Sequence, residues 1–407
     1  MAETPSGPVF VAGALPGETV TIRSDPRHAN RAQLVEILEA SPDRLAPPCP
    51  HFLTECGACA VQHFAAAPTA AWKTARLAEA LSRAGFPAAP LGAMQAAPPG
   101  TRRRADLALR RGTQGVAIGF HARGSAAVAD LTTCHVLDPA LVALFRPLRE
   151  MLRRLNALKR DGSAVLNLLE TGPDLLLRTD GPLDPPGRAL LASFATAHGL
   201  PRIAWALREG TPETAAQTGP VRLTLSGVAV APPPGAFLQA APAGEAAIIA
   251  AVLAGLPKLP ARARIGDLYA GIGTISFALA PHGRITAFEG DAAAVTALDA
   301  AARAVGGGVS AVRRDLAYQP LLGKEIAGFD LLVLDPPFAG AAEQVAQIAR
   351  SALRHVIYVS CNPVALGRDL GLLRQAGFAV RAATPIDQFP WSVHLESVVV
   401  LERVVTK

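Results

Sequence analysis

Of the 39 basic residues in this 407-residue chain only five are lysines, and tryptophan and tyrosine number three each. The longest apolar stretch, Ala246 to Leu256, is too short to cross a bilayer, and Met1-Ala2-Glu3-Thr4-Pro5 lacks the basic flank of a signal peptide. Membrane insertion and secretion are therefore not expected, and a cytoplasmic location is. The five cysteines do not suit a disulfide framework in an intracellular chain of this size. No internal repeat is present, which argues against solenoid and propeller architectures. What remains is a net charge of +6 carried almost wholly by arginine, a side chain suited to forked hydrogen bonds with phosphate, so nucleic acid is an expected partner.

The length predicts two or three domains. Residues 8–40 alternate apolar and polar positions around turns, as in a small β-barrel of short strands assigned to 1–45, and Pro47-Pro48 closes that region. Residues 46–69 hold three cysteines. Residues 70–97 begin with one amphipathic helix, about 70–84, ending at Gly85. Residues 98–230 read as strand-rich, interrupted by a helix at about 139–157, and Pro232-Pro233-Pro234-Gly235 marks a boundary. In 231–407 apolar strands alternate with helices: Arg264–Tyr269, Ile285–Glu289, Leu331–Asp335, His355–Ser360 and Ser397–Arg403. Strands apolar on both faces with helical crossovers predict a doubly wound α/β sheet.

The chemistry-bearing residues fall at the ends of these strands. Cys361, in Val359-Ser360-Cys361-Asn362-Pro363, follows an apolar strand and reads as a nucleophile placed to attack an electrophilic ring carbon. Asp335-Pro336-Pro337 ends another strand with a rigid carboxylate, and the prolines leave carbonyls free to accept from a planar base. Asp267-Leu268-Tyr269-Ala270-Gly271-Ile272-Gly273-Thr274 is a Gly-x-Gly loop whose third dinucleotide glycine is replaced by Ser276. Glu289 could accept two ribose hydroxyls and Asp315 could meet an adenine edge, so S-adenosylmethionine fits this loop better than NAD. Glu396, before the last strand, is a candidate base, and His394 reads as structural. Cys49, Cys56, Cys59 and Cys134 make a full ligand set for an iron–sulfur cluster or for tetrahedral zinc.

Together these motifs resemble, over nearly the whole length, the uracil-C5 RNA methyltransferases that use a cysteine nucleophile, specifically the iron–sulfur members that modify 23S ribosomal RNA. Leu15-Pro16-Gly17-Glu18, Cys49-Pro50-His51-Phe52, Cys56-Gly57-Ala58-Cys59, Phe237-Leu238-Gln239, Ser360-Cys361-Asn362-Pro363 and His394-Leu395-Glu396 carry the resemblance. It implies a TRAM-type OB barrel, a [4Fe–4S] site on the four cysteines in preference to zinc, a central β-rich α+β domain supplying Cys134, and a Rossmann-like methyltransferase domain. It further implies that Cys361 adds to uracil C6 and that Glu396 removes the C5 proton. Gln239, Tyr269, Thr274, Glu289, Asp315 and Asp335 are then the cofactor or base contacts. Arg102, Arg103, Arg104, Arg110 and Arg111 are candidates for phosphate contact.

Four departures stand out. The barrel is short at its amino end, Thr274 and Ala241 occupy positions where the family has asparagine, and Phe338 replaces an arginine after Asp-Pro-Pro. Two further readings compete with ribosomal RNA methylation: a tRNA uracil-C5 methyltransferase, and a non-catalytic iron–sulfur protein that binds RNA or senses oxidation. A cytosine-C5 enzyme would call for a second cysteine near Asp335, and none is there. A monomer is the simplest assembly.

Overall fold

The computed structural model describes residues 2–404 apart from residues 6, 27 and 29. At the amino end, strands Phe10–Val11, Thr19–Ser24 and Arg31–Glu39 form a three-stranded sheet with the third strand in the middle. This differs from the closed barrel expected from sequence. Among the described residues of this region only Leu15 and Ala32 join the buried apolar set, so little core exists to curl the sheet shut. Polar anchoring takes its place. The Glu18 carboxylate accepts from Arg44 Nη2 at 2.7 Å, from Leu15 N at 2.7 Å and from Ser41 N at 3.2 Å. The Arg44 guanidinium in particular holds it down at about 2.

Helix Ala66–Arg83 buries Thr69, Lys73, Leu77 and Leu81, a four-residue spacing that makes one continuous face. That face lies on helix Pro363–Gln375, where Gly367 lets Ala80 O approach to 3.2 Å of the position a Cβ would take. After it, Gln95–Ala96 pairs in parallel with Phe378–Asp387 and so becomes an edge strand of the catalytic sheet.

The central region is a six-stranded sheet, ordered Glu213–Gln217, Arg202–Leu207, Gly172–Thr179, Asp161–Leu169, Arg104–Gly112 and Gly115–Gly119. The helix expected at 139–157 is two helices, Pro139–Val142 and Phe145–Arg154. Pro147 has no N–H to bond back to residue 143, so the first cannot run into the second. Helix Pro185–His198 was not anticipated from sequence. Its signals are nevertheless present: Asp184 accepts from Gly187 N as N-cap, Pro185 follows, and Gly199 closes it at φ +65°.

The carboxyl-terminal sheet has eight strands, ordered Val309–Arg313, Arg284–Glu289, Arg264–Leu268, Leu331–Leu334, His355–Ser360, Glu396–Arg403, Phe378–Asp387 and Gln95–Ala96. The first five are parallel and Glu396–Arg403 runs antiparallel between its neighbours. Alternation splits the core into two layers: Leu331 and Val333 pack with Ile265 and Ile357 on one face, Leu332 and Leu334 with Val356 and Tyr358 on the other. The hairpin Leu223–Leu225/Val228–Val230 contributes to the first layer, so the polyproline segment after it does not separate the two cores. Among the described residues no helix is long and apolar enough to cross a membrane.

Candidate active site

The chain runs outward from strand Arg264–Leu268 through two neighbours on one side, then returns to place Leu331–Leu334 on its other side. Such a reversal leaves a crevice at the carboxyl ends of the central strands. Asp267, Tyr269, Glu289, Asp335 and Cys361 all lie at or just beyond those ends.

On one side of the crevice, the loop after Arg264–Leu268 turns sharply. Tyr269 adopts φ +66° and Gly271 φ +56°. A Cβ on Gly271 would meet nothing within 4 Å, so the backbone there borders open space, whereas at Gly273 it would strike the Phe277 ring at 2.6 Å. Glu289 accepts one backbone N–H on each carboxylate oxygen, Gly271 N and Asp291 N, both at 2.8 Å. Each oxygen keeps further acceptor capacity. Thr274 is the first residue of helix Thr274–Leu279, and Asp315 accepts from Ala317 N at 3.0 Å, beside the 86 % exposed Tyr318.

On the other side is a chain of hydrogen bonds. Asp335 Oδ2 accepts from Gln239 Nε2 at 3.0 Å, and Gln239 Oε1 accepts from Gln388 Nε2 at 2.8 Å. Gln388 Nε2 also donates to Glu396 Oε2 at 2.9 Å. Glu396 Oε1 is buried without a partner, as is Asp267 Oδ1, although Asp267 Oδ2 accepts from Ser276 Oγ. Cys361 follows Ser360, which pairs with Ser397, so the thiol and Glu396 sit at the same end of two hydrogen-bonded strands.

Burial dominates the electrostatics. It pushes Asp335 and Asp267 up to about 7, the latter also repelled by Asp335 and Glu289. Glu396 is raised well above the usual carboxylate range by burial and then by Asp335. The Cys361 thiol is pushed up to about 12 by burial, then by Glu396 and Asp335. Each of these groups therefore resists carrying negative charge in the crevice, a penalty that a cationic ligand beside them would relieve.

The Cys361 loop is braced from behind. Asn362 caps helix Pro363–Gln375 through Val364 N at 3.0 Å and donates from Nδ2 to Phe338 O at 3.0 Å. Asp369 accepts from Tyr358 Oη at 2.6 Å and from Ala341 N at 2.7 Å. Two of the arginines expected on phosphate are committed internally. Arg103 bonds Gln239 O at 3.1 Å and pairs with Glu245, and Arg111 donates to the carbonyls of Leu152, Arg153, Leu155 and Leu158. Arg110 pairs with Asp161 and Arg102 bonds Arg104 O, while Arg104 lies over the exposed Phe237 ring at 5.7 Å. Gln388 and Asp369 were not singled out from sequence, whereas Asn362 belongs to the motif around Cys361.

Cys49, Cys56, Cys59 and Cys134 line one cavity of about 280 Å³, together with Arg102 and His394. Burial, and after it the neighbouring thiols, pushes Cys59 up to about 11. Among the described residues no three His, Cys, Asp or Glu side chains converge closely enough to hold a single metal ion. The segment is fastened to the crevice through Ala60 N and Val61 N, which bond Trp391 O at 2.7 and 3.0 Å.

The tRNA (Uracil-5-)-methyltransferase family profile matches residues 310–404, which include Asp315, Asp335, Cys361 and Glu396. The chain is 39 % identical over 405 residues to an uncharacterized RNA methyltransferase of Mesorhizobium japonicum, covering 99 % of this chain and 95 % of that one. It is 35 % identical over 409 residues to the 23S rRNA (uracil(1939)-C(5))-methyltransferase RlmD of Pectobacterium carotovorum, covering 96 % and 88 %. In fold it is similar to Pyrococcus abyssi tRNA (uracil-54, C5)-methyltransferase in complex with S-adenosyl-L-homocysteine, with a TM-score of 0.71 at 20 % identity, over 97 % of this chain and 95 % of that one.

Proposed function

This chain belongs to the RNA uracil-C5 methyltransferase family, and we propose that it methylates a uridine of 23S ribosomal RNA with Cys361 as nucleophile and Glu396 as base. The observation that carries the reading is the buried, unpartnered Glu396 Oε1 at the strand end it shares with Cys361. A carboxylate raised by its surroundings has the basicity that proton abstraction from carbon needs.

The residues fit S-adenosylmethionine. Glu289 keeps lone pairs free towards the crevice for ribose hydroxyls, Gly271 opens the floor, and Asp267 Oδ1 and the raised carboxylates suit a cationic ligand. When bound, S-adenosylmethionine supplies an electrophilic methyl group and leaves as S-adenosylhomocysteine. The protein's own work is on the uracil. The Cys361 thiol passes its proton to solvent, the thiolate bonds to C6, and the C5–C6 π pair moves onto C5 and O4. Asp335, presented by a rigid Asp-Pro-Pro turn, and Gln239 hold the base. Once C5 carries the methyl group, Glu396 takes the C5 proton, the C5–C6 double bond re-forms, and the thiolate leaves. A base held this way must be out of its stack.

The four-cysteine cavity is proposed to hold a [4Fe–4S] cluster. Four cysteines lining one cavity make a full set of thiolate ligands, which would serve a cluster or tetrahedral zinc, and the resemblance favours the cluster. A brown anaerobic absorption supports this, and a colourless protein with stoichiometric zinc overturns it.

Methyl transfer from labelled S-adenosylmethionine to unmodified ribosomal RNA and tRNA, with Cys361→Ala alongside, tests the main reading. Labelled 5-methyluridine in ribosomal RNA, absent with the variant, is expected. Label in tRNA alone reassigns the substrate, a reading the family profile's own description favours. Transfer undiminished by Cys361→Ala removes Cys361 as nucleophile.

A further inference from the structure

We propose that Gln388 is a positioning residue that fixes which oxygen of Glu396 receives the C5 proton and which way the Gln239 amide faces. The assignment rests on the roles given above to Cys361 and Glu396. Ala240 N can only donate, and it meets Gln388 Oε1 at 2.9 Å, so the orientation of the Gln388 amide is settled by a backbone group. Its Nε2 must then face Glu396 Oε2 at 2.9 Å and Gln239 Oε1 at 2.8 Å. Gln239, its oxygen occupied, turns its own Nε2 to Asp335 Oδ2 at 3.0 Å.

One backbone N–H thereby sets the polarity of a four-residue chain that has a carboxylate at either end. Glu396 is left with a single acceptor free, Oε1, which is buried and unpartnered. Gln388 itself is 1 % exposed. The flanking backbone is immobilised as well: Lys73 Nζ bonds Asp387 Oδ2 at 2.7 Å and Phe389 O at 3.0 Å.

The charged and titratable groups facing Glu396 are Asp335 at the other end of the chain and Cys361 just past the neighbouring strand, with the Lys73–Asp387 pair behind Gln388 and the Arg103–Glu245 pair beyond Gln239. Asp335 and Cys361 gain nothing from a charged Glu396. Among the described residues Gln388 is the one side chain that donates to it, so losing that donor raises the proton affinity of Glu396.

The test compares wild type with Gln388→Met, which keeps the shape, and Gln388→Asn, whose amide is too short to span the same partners. With RNA carrying 5-fluorouridine, fluorine replaces the proton that Glu396 removes, so the covalent Cys361 adduct accumulates without needing the base. Both variants are expected still to form this adduct, slowed only by what the Gln239 orientation contributes to holding the base and far less than turnover. On ordinary uridine RNA their turnover falls about 10- to 100-fold, and the acidic limb of the pH–rate profile moves up by about one unit. Turnover and pH limb unchanged in either folded variant overturn the assignment and leave Gln388 as packing. Absence of the adduct in wild type overturns the Cys361 chemistry itself, and the Gln388 role with it.

Discussion

Lys73 Nζ lies 2.7 Å from Asp387 Oδ2, a side chain with no solvent exposure reaching 314 residues along the sequence. It ties helix Ala66–Arg83 to the segment that carries Gln388. Burial pulls the ammonium down, and Asp387 opposes that pull. Removing one partner of such a pair leaves the other charge uncompensated. Lys73→Met is expected to cost about 3 kcal/mol in urea unfolding, and Lys73→Met with Asp387→Leu considerably less. Equal losses in the single and double variants would show that the pair is not what holds the segment.

Glu396→Gln keeps a side chain of the same size that can still bond to Gln388, but it cannot accept the C5 proton. The expected result is a covalent enzyme–RNA complex on uridine RNA with S-adenosylmethionine. It should survive denaturing electrophoresis and contain methylated uracil. The same substitution removes the carboxylate that most opposes ionisation of Cys361 after burial, so alkylation of that thiol by iodoacetamide, followed by mass spectrometry, should quicken. Normal turnover with no accumulated complex would take the base role away from Glu396.

The central strands of the catalytic sheet were legible because burial on both faces writes an apolar run, as in Leu331–Leu334. Val309–Arg313 and Phe378–Asp387 were not legible. The first is an edge strand with exposed alternate positions, and the second carries Arg381, Thr384 and Pro385. Cys361, Asp335 and Glu396 announced themselves by residue type. Gln388 did not, since it does not titrate and its role lies in an amide orientation set by contacts 148 and 149 residues away. Arg103 and Arg111 were misread for the converse reason. An arginine meant for phosphate and one that satisfies helix-end carbonyls look alike in sequence.

Asp335 carries a stability cost with a definite pH signature. Its folded value, about 7, lies above that of an exposed aspartate, so the unfolded chain holds fewer protons between about pH 4 and 7 and stability falls as pH rises through that window. Asp335→Asn should therefore be more stable than wild type at pH 8, by on the order of 1–2 kcal/mol because the carboxylate keeps a solvent-accessible edge. The gain should shrink steadily towards pH 4. Chemical denaturation across that range checks it, and a gain independent of pH would locate the cause elsewhere. Methyl transfer is expected to fall sharply in the same variant.

Phe338 stands 55 % exposed at the crevice mouth, edge-on to the His394 ring at 5.7 Å, with its carbonyl held by Asn362 Nδ2. An aromatic face fixed in solvent next to a pocket for an unstacked base is suited to stacking on the adjoining nucleotide. Phe338→Ala should raise KM for RNA about 5- to 30-fold, equivalent to about 1–2 kcal/mol of stacking, with kcat little changed. Phe338→Trp should keep the low KM. Phe338→Arg should substitute an ionic contact and steepen the salt dependence of binding by about one unit in the log–log slope. A KM indifferent to Phe338→Ala would show that the ring does not touch the RNA.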